Sequence, residues 1–312
     1  MSARMHAIVQ STFGGPEVLA YTETDVPEPG PGEVLLTVAG AGVNPGDAVL
    51  RAGRVPDLVT LPWTPGTDVA GVVERVGDGV TRFVPGDEVY GMLAVTPRGA
   101  YAEFTAAPAD ALALAPKNID LAHAGAVPLV AVTAWQALAV LAQVRPGDRV
   151  LIHAAAGGVG HVAVQLAKEL GAYVIGTARV ANHDLLSGLG ADELIDYTTT
   201  DFRTSMAPVD AVLDLVGGSY GPRSLDVLRP DGLLIGASID PGTNERQAAA
   251  RGLRYAWVTA EPSGQLLKQI TDRIEAGRLR VMVQRTYPLA EAVEAHRAIE
   301  AKRTTGKIVL VP

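Results

Sequence analysis

The chain has no cysteine at all. That absence excludes disulfides, thiolate metal sites, cysteine nucleophiles and redox-active thiols together. No run of Lys and Arg is present that could neutralise a polyphosphate backbone, and the formal net charge is −8. With a pI near 5.3, a nucleic-acid partner is not expected. The N-terminal stretch MSARMHAIVQSTFGGP lacks a basic region followed by an apolar one, so no signal peptide is read there. The longest apolar stretch, 121–144, is Ala-rich and contains Pro128, Thr133 and Gln136, which reads as a buried helix rather than a membrane span. No Gly-x-Ser-x-Gly motif or carboxylate pair suggests hydrolysis. These absences leave a cytoplasmic globular protein with no membrane partner as the expectation.

What is present points to two domains. A chain of 312 residues, 48% hydrophobic and 19% charged, is long enough for two cores and lies in the globular range. The first domain segment is read as residues 1–121. Residues 1–115 are dense in Pro and Gly, with short β-branched runs at 34–43, 68–77 and 87–92 between turn clusters such as Val84-Pro85-Gly86-Asp87. That spacing predicts an antiparallel β domain or barrel. From 122 to 260 the pattern becomes strand–helix–strand, with strand candidates at 150–155, 173–178, 193–197, 209–217, 232–238 and 254–260. Six strands in that rhythm predict a parallel, doubly wound sheet. Residues 261–312 carry helical patterns at 263–277 and 289–301 and a last strand at 306–311. So short a piece needs a partner, and it is expected to return to the first domain. The fold class is α/β, with the parallel domain inserted into a β-rich one.

Between the first strand of the α/β block and its helix lies Ala155-Ala156-Gly157-Gly158-Val159-Gly160. This is where a dinucleotide-binding (Rossmann) fingerprint must sit. Gly157 lets backbone approach a pyrophosphate, Gly160 lets the helix pack closely, and the helix N-terminus offers free N–H groups. The first glycine of the usual pattern is replaced by Ala155. Past the second strand, where NAD-binding proteins place a carboxylate for the ribose 2′-OH, Ala178 is followed by Arg179. A guanidinium there suits a 2′-phosphate, with no acid seen to repel it, so NADPH is the expected cofactor. His183 and Tyr197 follow the second and third strands and could border the same pocket. The alternative is that Arg179 is a solvated surface residue.

With these residues in hand, the chain resembles the quinone oxidoreductase (zeta-crystallin-like) branch of the medium-chain dehydrogenase/reductase superfamily. The resemblance rests on the run from Gly147 to Gly160, continuing to Gln165 and Lys168. It rests also on GVNPGDAVLRAG (42–53), PGTDVAGVVERVG (65–77), GDEVYG (86–91), GAYAEF (99–104), LVAVTAWQAL (129–138), LGADELIDY (189–197) and GKIVL (306–310). It implies a GroES-like catalytic domain split around a Rossmann domain, and hydride transfer from NADPH to a quinone or an α,β-unsaturated carbonyl. It implies that Asn44 stands near the nicotinamide, that Thr133 contacts the carboxamide, that Leu215 and Val216 line the ring, and that Ile239 and Lys307 border the cofactor. The first two zinc-ligand positions of related alcohol dehydrogenases correspond to Asn44 and Thr67, and no paired histidine spacing exists, so no metal is expected. Asn44, Asp47 and Tyr101 are the catalytic candidates, Tyr101 as a conceivable proton donor. Asn44 and Asp47 also fit a turn or helix cap, Thr133 a helix cap, Val216 strand core and Tyr101 packing. Where several relatives carry a tyrosine, this chain has Val49; where many carry a basic residue, it has Ala181. The resemblance also implies a homodimer through the last strand of the Rossmann sheet. Two other classes stay open: an NADPH-binding sensor or structural protein with little catalysis, and a zinc-dependent alcohol dehydrogenase.

Overall fold

The computed structural model describes residues 3–240 and 242–312. They form two compact units: the chain up to Val132 together with Glu261–Pro312, and Thr133–Ala260. The first unit opens with a hairpin, β1 (Arg4–Val9) against β2 (Ala20–Asp25). It continues through β3 (Glu33–Val43), β4 (Asp68–Val76), β5 (Glu88–Met92), β6 (Phe104–Pro108) and β7 (Leu112–Leu114). The second unit supplies β8 (Arg149–Ile152), β9 (Tyr173–Ala178), β10 (Glu193–Asp196), β11 (Val209–Asp214), β12 (Leu228–Gly236) and β13 (Arg254–Trp257). The chain then returns to the first unit with β14 (Val283–Pro288) and β15 (Lys307–Val311).

The first unit's main sheet runs β14-β15-β3-β4-β5-β7, with β6 also on β3. β15 pairs antiparallel with β3, Ile308 opposite Val43. The last strand therefore completes the first sheet, as a short β segment stranded after an α/β block must. Its core holds Val34, Leu36, Val69, Val89, Leu112, Ile308 and Leu310. Glycines press a short helix, α2 (Leu121–Ala124), onto this sheet: a Cβ on Gly40 would lie 2.3 Å from the Ala122 carbonyl oxygen, and one on Gly42 2.5 Å from that of Gly125. That backbone contact holds residues 121–132 in the first unit. The compact units therefore divide after Val132 rather than at 121/122, where the composition changes.

The stretch Leu121–Leu141 is long and apolar enough to cross a membrane by length and composition, and 67% of it is buried within the protein. It is broken at 125–127 and resumes as α3 (Pro128–Trp135), which continues as a π-helix over Gln136–Leu141. Pro at the first helical position explains the restart, since its missing N–H is an unpaired one there anyway.

The second unit's sheet is parallel throughout, in the order β10-β9-β8-β11-β12-β13. The order reverses between β8 and β11, and ligands of such sheets bind beyond the carboxyl ends of the strands at that switch. His153, at the end of β8, ties three elements together. Its Nδ1 lies 3.1 Å from Thr177 Oγ1 and its Nε2 3.0 Å from Ser224 Oγ, which itself donates to the Tyr220 carbonyl at 2.7 Å. Ser224 has spent its proton, so Nε2 donates to it and Nδ1 accepts from Thr177. The ring is neutral, and burial, with Arg223 nearby, pushes its pKa down to about 3 from 6.5. Above pH 6.5 neither folded nor unfolded state protonates it. As pH falls below 6.5 the unfolded chain takes up a proton that the folded one refuses, so stability is lost down to about pH 3. His153→Gln should therefore lower Tm at pH 8 yet flatten its decline between pH 6.5 and 4. Parallel Tm–pH curves for the two proteins would contradict this role.

Candidate active site

In the second unit, the candidate cofactor residues gather at the carboxyl ends of successive parallel strands. The helix α4 (Gly158–Glu169) follows β8 and is capped by Gly157. Its first intrahelical bond from outside the first turn is His161 N to Gly157 O at 3.1 Å. The N–H groups of Gly158, Val159 and Gly160 thus face outward from the helix start, as an anion cradle requires. A Cβ on Gly160 would lie 2.3 Å from the Ala154 oxygen and 2.7 Å from the Ala155 oxygen. Only glycine allows that approach. Ala155 replaces the usual first glycine because its methyl has room: it faces Gly176 on β9, where an added Cβ would come within 3.0 Å of it. The two positions exchange one side chain, a compensation invisible in the motif alone.

At the end of β9, Ala178 is buried and Arg179 exposed. The Arg179 Nε donates to the Tyr197 hydroxyl at 3.1 Å. Among the described residues this guanidinium makes no ion pair. His183 Nε2 lies 3.3 Å from the Ala178 carbonyl, so it carries the proton. One correction to the sequence reading arises here, because an acid does stand nearby. Asp196 on β10 is in register with Ala178. Its Oδ1 accepts from Thr198 N at 2.9 Å and Thr198 Oγ1 at 2.7 Å, and its carboxylate also takes the Val180 N–H. These bonds, the Thr198 hydroxyl first, hold its pKa below the usual carboxylate range. The sequence could not show it, since sheet register alone brings 196 beside 178.

After β11, Asp214 Oδ1 accepts from the N–H groups of Val216 and Gly217, each at 2.9 Å. This fixes the turn that leaves Leu215 half-buried and Val216 exposed. Beyond β12, Ile239 is exposed as well. Val216 and Ile239 are thus two exposed aliphatic side chains beyond the carboxyl ends of neighbouring strands. Asp214 was not singled out from sequence; its position just before the glycine pair Gly217-Gly218 was the available signal. Thr133, buried on α3, begins this unit.

In the first unit, a buried polar cluster collects the other candidates. Asn44 caps α1 (Pro45–Arg51), and Asp47 Oδ2 reaches back to the Asn44 N–H at 2.9 Å. The Tyr101 hydroxyl donates to the same Asp47 oxygen at 2.9 Å. Tyr101 is fully buried, and burial, with the adjacent Asp47, holds its pKa well above 10. Its proton is committed to Asp47, so the conceivable role of Tyr101 as proton donor to a substrate is corrected: it orients Asp47. Lys307 belongs to the same cluster. Its ammonium is buried and reaches Val43 O at 3.4 Å, Asp68 Oδ2 at 3.1 Å and Asn44 Oδ1.

Burial raises the Asp47 pKa to about 7 from 3.8, against the lowering effect of the Asn44 N–H and the Tyr101 hydroxyl. Below pH 3.8 both folded and unfolded forms are protonated. Between 3.8 and about 7 the unfolded chain ionises first, so stability declines as pH rises through that window. Asp47→Asn should therefore raise Tm at pH 8 by several degrees and leave it nearly unchanged at pH 4. A gain of equal size at both values, in a thermal melt series, would contradict the assignment.

Residues 30–117 match the family described as alcohol dehydrogenase GroES-like domain, and residues 189–310 the one described as zinc-binding dehydrogenase. A 2-haloacrylate reductase from Burkholderia sp is 37% identical, the alignment covering 96% of each chain. The solved quinone oxidoreductase from Coxiella burnetii superposes with a TM-score of 0.95 at 35% identity, covering 99% of this chain and all of that one. A mycobacterial protein solved in complex with NADPH superposes at 0.89 with 34% identity, covering 99% of this chain and 100% of its own. Fold and sequence together define an oxidoreductase of the medium-chain dehydrogenase/reductase type. Within that superfamily, the chain belongs to the quinone oxidoreductase family.

The zinc in one family description does not fit the residues at the corresponding positions. Asn44 offers an amide already bonded to an ammonium, and Thr67 a buried hydroxyl. A divalent cation beside Asp68 would have to displace Lys307. Among the described residues no three His, Asp or Glu converge on one point.

Proposed function

We propose that the protein is an NADPH-dependent reductase that delivers a hydride to a quinone or an α,β-unsaturated carbonyl acceptor without zinc. The observation that carries the cofactor half is Arg179 at the end of β9, a guanidinium that makes no ion pair among the described residues and bonds to the Tyr197 hydroxyl. It would hold a 2′-phosphate, with His183 and Tyr197 beside it, while Gly157 and the first-turn N–H groups of Gly158, Val159 and Gly160 cradle the pyrophosphate. Thr133, Leu215, Val216 and Ile239 would border the nicotinamide ring. The nicotinamide, when bound, supplies the hydride.

The acceptor class follows from what the chain's groups can stabilise. Alcohol oxidation needs support for a localised alkoxide, usually from a Lewis acid. A conjugated acceptor spreads its negative charge over several atoms, so hydrogen-bond donors suffice. The relatives named for quinones and for 2-haloacrylate are in keeping with such acceptors. The test is a kinetic screen of NADPH oxidation with 1,2-naphthoquinone-type and acrolein-type acceptors. Turnover with either class supports the reading; tight NADPH binding with no turnover on any acceptor would favour a sensor instead.

The acidic, cysteine-free composition supports a cytoplasmic enzyme acting on small molecules, with neither nucleic acid nor membrane as partner. β13 lies at the edge of its sheet, with Trp257 exposed, and an unpaired apolar edge calls for cover. Pairing of two β13 strands across a two-fold axis would provide it. Light scattering should then give twice the 32.4 kDa chain mass; a monomer would refute the pairing.

A further inference from the structure

A fully buried ion pair is costly to desolvate, and apolar residues of similar size often serve stability as well or better. The Asp68–Lys307 pair is therefore a poor choice for stability alone, and its geometry suggests another use. Asn44 lies between an acceptor-only carboxylate and a donor-only ammonium. Its Nδ2 donates to Asp68 Oδ2 at 3.0 Å, and its Oδ1 accepts from Lys307 Nζ. Only one orientation of the amide satisfies both neighbours. The second N–H of the amide has only a marginal contact, Gly42 O at 3.5 Å. The other oxygen of Asp68 accepts from Leu129 N at 2.7 Å, at the start of α3, the helix that carries Thr133. One carboxylate thus sets the positions of residues 44, 129 and 307.

We infer that Asp68 and Lys307 are positioning residues for the reduction: they lock and polarise the Asn44 amide so that its remaining N–H meets the oxygen of the carbonyl acceptor. The inference rests on the proposed reductase reading. As the hydride adds to the β-carbon of the enone or quinone, the displaced π electrons collect on the carbonyl oxygen as an enolate. For a quinone this is a tautomer of the hydroquinone anion, reached when the added carbon gives up a C–H proton to water as the ring becomes aromatic. The Asn44 N–H stabilises that oxyanion by a hydrogen bond without giving up its proton, and water supplies the proton that completes the product. Lys307, bonded to the amide oxygen, draws electron density from the amide and strengthens the N–H as a donor.

The test is a double-mutant cycle on kcat, with NADPH and 1,2-naphthoquinone, using Asn44→Ala, Lys307→Met and the two combined. Losing an oxyanion donor costs about 100-fold in kcat, so Asn44→Ala is expected to fall by about that much and Lys307→Met by about tenfold. The combined variant should be no slower than Asn44→Ala alone, because Lys307 acts through the amide. Losses that multiply, or an unchanged kcat in Asn44→Ala, would overturn the inference. If Lys307→Met fails to fold with Asp68 left unpaired, Asp68→Asn with Lys307→Met replaces it as a neutral pair. Recovery of Tm without recovery of kcat supports the inference, and recovery of both overturns it. Wild-type turnover checks the underlying reading separately. Its absence would sink reading and inference together, whereas turnover with multiplying losses would sink the inference alone.

Discussion

Arg179→Ala is expected to raise KM for NADPH by about 10- to 100-fold and to leave KM for NADH within about twofold. The size follows from a charged hydrogen bond to phosphate, worth about 1.5–3 kcal/mol. The asymmetry follows from place: the side chain lies at the end of β9 and, among the described residues, bonds to the Tyr197 hydroxyl alone, so its loss should remove nothing that the unphosphorylated coenzyme uses. Asp196 sharpens the prediction. Its carboxylate is turned onto Thr198 and Val180, so it stays ionised beside the strand end that Arg179 follows. Once Arg179 is gone, Asp196 should disfavour the phosphorylated coenzyme and push the preference toward NADH. Initial-rate kinetics with both coenzymes check this. Equal losses for both would mean that Arg179 acts on folding or closure rather than on the 2′-phosphate.

Gly160→Val should weaken both coenzymes together, by 100-fold or more. The missing Cβ would stand 2.3 Å from one loop carbonyl oxygen and 2.7 Å from another, so α4 must move away from the loop that precedes it. The first-turn N–H groups would then leave the pyrophosphate, and losing two such charge-assisted bonds costs about 3–6 kcal/mol. Overpacking should also lower stability by about 1–3 kcal/mol. Fluorescence titration with NADPH and NADH separates this outcome from the previous one, because here the ratio of the two affinities should stay constant. A variant that keeps wild-type affinity for either coenzyme would show that the phosphates are not held at this turn.

The parallel sheet was the most legible part of the chain. β9 spans the residues expected of it, and β8, β10, β11, β12 and β13 fall within a few residues of their apolar runs, because strands buried on both faces read as continuous hydrophobic segments. β1, β2, β6, β7 and β14 were not legible. β2 is mostly exposed and β14 largely so, and such strands carry little apolar signal. The glycine turn and Arg179 could be read because their spacing is local. Asp196 and Asp68 could not, because sheet register sets Asp196 beside Ala178 and Asp68 meets residues 129 and 307, far apart in sequence. Asp214, whose partners Val216 and Gly217 are local, could have been read from the glycine pair that follows it. Tyr101 is legible as a site residue, but burial changes its role: its proton is spent on Asp47 inside the cluster.

The most direct test of the whole account is the rate of NADPH and NADH oxidation by protein dialysed against a strong chelator, with 1,2-naphthoquinone as acceptor. The account requires that turnover survive the chelator in full and that kcat/KM favour NADPH by at least tenfold. Activity that vanishes with the chelator and returns with added zinc, or a preference for NADH, would contradict it.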